Sequence, residues 1–124
     1  MVNMSKKNTL VFGASLNLDR YSNMAMHRLS ENSIDVKAFG LKKGTVSGIE
    51  IDTNLVSYRN IHTVTLYVNP KRQEAYYDYI LNLNPTRVIF NPGTENPEFY
   101  SLLSEASIHY EAACTLVLLS TSQY

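Results

Sequence analysis

A single cysteine, Cys114, stands among the 124 residues, so an internal disulfide and a multi-cysteine zinc site are both excluded. The expectation is a reducing, cytoplasmic compartment. Charge of either sign is equally lacking: 11 Lys+Arg face 11 Asp+Glu, and the pI is near 6.8. That balance leaves no basic footprint for nucleic acid or for an anionic membrane surface. Long apolar runs are missing too. The longest, residues 116–119, falls far short of the ~20 residues of a spanning helix, and the polar start, residues 1–8, has no signal-peptide apolar stretch. Repeats, low-complexity tracts and linkers do not occur, and the length favours one domain over residues 1–124.

What is present alternates. Residues 8–12 (NTLVF) are a short apolar run that stops at Gly13, as a buried strand does before a turn. Ser22 is a candidate cap for a helix with Met26 and Leu29 on one face, ending near Asn32 and Ser33. Residues 34–39 alternate as a second strand, and residues 40–48 read as a flexible loop carrying Lys42 and Lys43. Residues 49–60 have no clear period and read as loop, with room for a short helix.

Residues 63–68 (TVTLYV) form a third strand that ends at Asn69-Pro70, since proline cannot donate to a ladder. From Lys71 the stripe Ala75, Tyr76, Tyr79, Ile80, Leu83 predicts an amphipathic helix ending before Pro85. Residues 87–90 are a fourth strand, broken by Asn91-Pro92-Gly93. Asn96-Pro97 opens a further helix with Phe99, Leu102, Leu103 and Ala106 as its buried face. The apolar run 115–119 fits a strand or a buried helix, and periodicity does not choose between them.

This alternation indicates βαβ units, hence an α/β fold: a Rossmann-like, three-layer αβα sandwich around a mainly parallel sheet of about five strands. Ligands of such sheets bind beyond the carboxyl ends of the strands, where the strand order reverses. There the first loop reads GASLNLDRYS, residues 13–22. Small residues at a helix start let a backbone approach a pyrophosphate, and Arg20 adds a cation. The dinucleotide spacing G-x-G-x-x-G fails, with Ser15 and Leu18 in place of the later glycines, so a plain βα turn stands beside the phosphate loop as a reading. An NAD(P)-binding oxidoreductase would also want an acid after the second strand, where Lys42 and Lys43 follow instead.

In order, GASLNLDRYS, FGLKKGTVSG, YVNP and FNPGTEN resemble the strand-end loops of the CoA-binding domain family. This unit is similar to the first domain of the succinyl-CoA synthetase α-subunit and also occurs as small stand-alone bacterial proteins. The resemblance runs from Leu10 to about Leu119. It implies CoA or an acyl-CoA as a small-molecule nucleotide ligand, with NAD(P) or an empty interaction module as the alternatives. Position by position it implies contacts from Gly13, Ala14 and Ser15, from Arg20 with Ser22, and from Lys43 to a CoA phosphate. It further implies Tyr67, Val68, Asn69 and Pro70 beside the adenine or pantetheine arm, and Gly93 after the fourth strand. Cys114 resembles a cysteine that stand-alone members carry before a terminal helix, which favours helix for residues 115–122. The synthetase's phosphohistidine belongs to a domain this chain lacks, so membership implies binding rather than the ligase reaction.

Catalytic apparatus is thin. His27, His62 and His109 lack metal-ligand spacing, and the last two precede strands, at the end of the sheet away from the ligand loops. Ser15 has no nucleophile elbow. Glu95 and Glu98 beside a helix start read as dipole complementation, and Cys114 as a packing group or, alternatively, a reactive thiolate. Of the nine tyrosines, Tyr77 points off its helix's stripe, either as an exposed single tyrosine or as part of a homodimer or partner surface.

Overall fold

The computed structural model describes residues 7–124, so most of the polar start lies outside the described residues. The strands are β1 (Thr9–Ala14), β2 (Val36–Gly40), β3 (Gly44–Val46), β4 (Ile49–Asp52), β5 (Thr63–Leu66), β6 (Arg87–Phe90) and β7 (His109–Ala112). They form one sheet in the order β3-β4-β2-β1-β5-β6-β7, all neighbours parallel except the antiparallel β3-β4 pair. The sheet thus has seven strands where the sequence pattern suggested about five. One extra pair is a hairpin inside the stretch read as loop. Ser47 and Gly48 both take positive φ, 51° and 78°, the two-residue turn whose twist matches antiparallel strands. Strands of three and four residues are too short to show a period, so pairing rather than pattern makes them.

The helices are α1 (Tyr21–Glu31), α2 (Pro70–Gln73), α3 (Tyr77–Leu83), α4 (Pro97–Glu105) and α5 (Thr115–Ser120). On one face of the sheet, Val11, Ala38 and Ile51 pack with Ala25, Met26 and Leu29 of α1 and with Leu116 and Leu119 of α5. On the other, Leu10, Phe12, Val64, Leu66, Val88 and Phe90 meet Ile80, Phe99 and Leu103. Successive residues of β1 serve opposite layers, which is the period-2 geometry of a strand buried on both sides. Residues 115–120 are helical, as the family resemblance favoured.

Three local expectations are corrected. Arg20, extended at φ −85°, occupies the cap position of α1, and Ser22 lies inside the first turn, buried. The predicted helix from Lys71 begins one residue earlier at Pro70, with Asn69 as its cap, and a 3-10 turn at Glu74–Tyr76 breaks its period. That slip leaves Ala75 exposed, and Ala106 likewise falls outside the buried face of α4. Tyr77 is no free surface tyrosine: it is half-buried, packs on Phe99 at 4.5 Å between ring centroids, and donates to Glu98 Oε1 at 3.0 Å.

Candidate functional site

The strand order reverses at β1, with β2 on one side and β5 on the other, and a cleft of about 780 Å³ opens at their carboxyl ends. Two glycines shape it. Gly13 sits at φ 104° where the β1-β2 register shifts, and a Cβ there would come 3.0 Å from the Tyr67 carbonyl carbon. A Cβ on Gly40 would lie 2.3 Å from the Ala14 carbonyl oxygen, so only glycine lets β2 close against β1 at this point.

Beyond Gly13 the first loop holds its own shape. Ser15 Oγ accepts from the Asn17 amide at 3.0 Å, Asn17 Oδ1 from the Asp19 amide at 2.9 Å, and Asn23 Nδ2 donates to the Ser15 carbonyl at 2.9 Å. The start of α1 has neither a side-chain cap nor an acidic residue in its first turn. Its leading N–H groups and partial positive charge therefore face the cleft uncompensated, beside Arg20, Tyr21 and Ser22, which line it.

The opposite wall comes from the ends of β5 and β6. Asn69 Oδ1 caps α2 by accepting from the Arg72 amide at 2.9 Å, which brings the Arg72 side chain to the cleft. Asn91, buried at the end of β6, donates to Thr65 Oγ1 at 2.7 Å and to the Leu66 carbonyl at 2.9 Å, while its Oδ1 accepts from the Thr115 amide at 2.9 Å. It ties both strands and α5 together below the Pro92-Gly93-Thr94 wall. Tyr67 turns its ring toward α5, and burial pushes its phenol up to about 12. That hydroxyl is buried without a hydrogen-bond partner among the described residues, beside the Thr65 and Thr115 hydroxyls, which are bonded to each other at 2.8 Å.

Of the residues singled out in the sequence, Gly13, Ala14, Ser15, Arg20 and Ser22 line one wall of the cleft, and Tyr67, Val68, Asn69 and Gly93 line the other. Pro70 and Lys43 do not; the lysine on the wall is its neighbour Lys42. Arg72 was missed, although its signal was available. Asn69-Pro70 is the same cap and N1 pair that was read as a helix start at Asn96-Pro97, and it places the third helical residue at this end of the sheet. Gly40, with no motif of its own, could be found only from the approach of β2 to β1. The cations on the wall are Arg20, Lys42 and Arg72, and no carboxylate residue lines the cleft among the described residues.

The candidate catalytic groups lie elsewhere. His62 and His109 sit at the amino ends of β5 and β7, and His27 lines a separate shallow groove between α1 and α5. Cys114 precedes α5, half-buried, and does not line the cleft. Glu95 accepts from the Gly93 amide at 2.8 Å, and Glu98 lies in the first turn of α4. Among the described residues no cluster of His, Cys, Asp and Glu is arranged to hold a metal ion, and no helix is long and apolar enough to cross a membrane.

Set against known families, residues 7–120 match the model of the CoA binding domain. The chain belongs to the CoA-binding domain family. A crystal structure of an uncharacterized protein is 44% identical, with a TM-score of 0.93, covering 96% of this chain and 98% of its own. A hypothetical protein from Pyrococcus horikoshii OT3 (24% identical, TM-score 0.84) matches 95% of this chain and 84% of its own. The structure of cell-free ID.343 from Thermus thermophilus (21% identical, TM-score 0.83) matches 96% and 91%. These last two likenesses establish the shared Rossmann-like fold. A search among proteins of curated function finds no match. CoA binding is the property this family carries; in this member glycines clear the cleft floor, and among the described residues cations without carboxylates line its walls.

Proposed function

We propose that the chain is a single domain that binds CoA or an acyl-CoA in the cleft at the carboxyl ends of its strands, without catalysing a reaction of its own. The observation that carries this reading is the charge of the walls. Arg20, Lys42 and Arg72 converge on a space bordered by the uncapped start of α1, and no carboxylate residue lines that space among the described residues. A ligand with a pyrophosphate and a ribose phosphate satisfies such a wall. An NAD-type ligand prefers an acid at the end of β2 for its ribose hydroxyls, and here Gly40, Leu41 and Lys42 stand there.

Arg20 and the α1 amide groups are suited to the pyrophosphate, and Lys42, with Lys43 behind it, to the ribose phosphate. Tyr67, Val68, Asn69 and Gly93 face them across the cleft, with Pro70 fixing the start of α2. Proton transfer needs a group within about 2.6–3.2 Å of the reacting atom. The distance of all three histidines from the cleft therefore supports binding without turnover. The single half-buried cysteine fits a cytoplasmic setting.

The test is thermal. CoA should raise the melting temperature more than equimolar NAD or NADH, because a ligand bound only by the folded state stabilises it by mass action. Equal shifts for CoA and NAD would favour a dinucleotide protein, and no shift with any nucleotide would favour an interaction module. Mass spectrometry of nucleotide released from purified protein identifies the bound species directly. Incubation with acetyl-CoA should release thiol no faster than buffer alone, and a release that disappears in Cys114→Ser would overturn the binding-only assignment.

A further inference from the structure

Gln73 is fully buried at the end of α2, and its amide spans the two loops that form one side of the cleft. Its Nε2 donates to the Val68 carbonyl at 2.7 Å and to the Thr94 carbonyl at 2.8 Å. Both partners are acceptors only, so the NH2 group must face them and Oε1 must face away. There Oε1 accepts from Asn96 Nδ2 at 2.8 Å, and the same nitrogen donates to the Tyr77 hydroxyl at 2.8 Å. Tyr77 in turn donates to Glu98 Oε1, while Asn96 Oδ1 accepts from the Phe99 amide at 3.3 Å. The chain is directional throughout. A carboxylate at one end fixes the hydroxyl, the hydroxyl fixes the Asn96 amide, and Asn96 fixes Gln73.

We propose that Gln73 is a positioning residue for the cleft: through Asn96 it locks the loop of Val68 and Asn69 to the loop of Gly93 and Thr94 as one preformed ligand-binding wall. This rests on the reading of the cleft as a CoA site. No other side chain in the described residues bonds to carbonyls of both loops. Without that link, a ligand lying against this wall must order each loop on binding.

The experiment compares CoA affinity, by calorimetry well below the melting temperature, in wild type, Gln73→Met, Asn96→Asp and Ile80→Val. Gln73→Met keeps the side chain's length and removes both donors. Asn96→Asp keeps the cap on α4 but replaces the donor to Gln73 Oε1 with an acceptor, which removes the anchor that holds the Gln73 amide against the two carbonyls. Ile80, fully buried on α3 and away from the cleft, controls for lost stability alone. Losing the two loop-spanning hydrogen bonds in Gln73→Met, or the anchor that orients them in Asn96→Asp, is expected to raise the CoA dissociation constant about tenfold. Ile80→Val should bind as wild type does despite a lowered melting temperature. In ligand-free protein the amides of residues 67–69, 93 and 94 should exchange faster in the first two variants than in Ile80→Val. Should Gln73→Met fail to fold, Asn96→Asp decides alone. Wild-type affinity in the variants would overturn the positioning role while leaving CoA binding intact; wild-type protein that binds no CoA would overturn the reading of the site, and the positioning role with it.

Discussion

The two ends of the sheet each hold an arginine, and they treat it oppositely. At the amino end Arg87 is buried beside Thr63, Tyr124 and Glu111. Its Nε donates to Thr63 Oγ1 at 3.1 Å, the Tyr124 ring lies 4.5 Å from the guanidinium carbon, and Glu111 stands 3.8 Å away. Tyr124 itself shares a hydrogen bond with Thr9, and burial pushes its phenol up. At the carboxyl end Arg20 is exposed, beside a helix start that nothing caps. One end surrounds its arginine with groups of the chain, leaving only the buried Nη2 without a hydrogen-bond partner among the described residues; the other leaves its cations and amides to be met from outside. The lesson is that polarity alone does not mark a site. An ordered set of donors whose partners the fold withholds does.

That contrast is broken most severely at Gly40. Gly40→Ala places a methyl 2.3 Å from a backbone carbonyl that cannot move without parting β1 from β2. The expected cost is roughly 2–4 kcal/mol in urea unfolding, with loss of CoA binding in whatever remains folded. At the closed end, Arg87→Ala should cost about 2 kcal/mol by the same measurement, since it empties a packed position and removes the Nε hydrogen bond to Thr63 and the contact with the Tyr124 ring. It should leave the CoA dissociation constant unchanged. An Arg87 variant of normal stability that lost CoA would join the two ends and dissolve the comparison.

The open end is sharpened by charge. Arg20→Ala and Lys42→Ala should each weaken CoA by about 1–2 kcal/mol, with little change in stability, because neither side chain serves the folded chain internally. Lys43→Ala should weaken it less. If the lysine meets the ribose phosphate, Lys42→Ala should weaken CoA far more than dephospho-CoA, a comparison that calorimetry makes directly.

The smallest effect concerns His62, whose pKa is lowered from 6.5 by burial and by the Arg87 and Lys7 charges. A base with a folded pKa below its unfolded value stabilises the fold when neutral. That contribution is fully present above pH 6.5 and is lost as the pH falls below it, toward the folded pKa. His62→Gln should therefore flatten the pH dependence of unfolding below neutrality, and CoA affinity over the same range should be indifferent to the change.

Much of the fold was legible in the residues. The apolar strands at β1, β5 and β6 are short runs closed by Gly, Asn or Pro, and the Asn96-Pro97 start of α4 was read correctly. Errors fell where a weak local pattern was overruled by neighbours. The β3-β4 hairpin exists because β2 offered β4 an edge, and the 3-10 turn at Glu74–Tyr76 took Ala75 off a stripe whose Tyr76, Tyr79, Ile80 and Leu83 still reach the core. Of the cleft, the loops could be named from strand ends and Arg72 from the Asn69-Pro70 helix start that was passed over, whereas Gly40 became visible only when those ends were brought together.

By itself the sequence determined the alternation of strand and helix, the parallel sheet that such alternation imposes, and the end of the sheet where a ligand belongs. These follow from side-chain period and from turn residues, which act over a few positions of the chain. Tertiary structure alone decided which cations share a wall, that the start of α1 stays uncapped, and that Gln73 reaches the carbonyls of two loops 26 residues apart between Val68 and Thr94. Such placements depend on distances between segments remote in sequence, and no local preference of the chain encodes those distances.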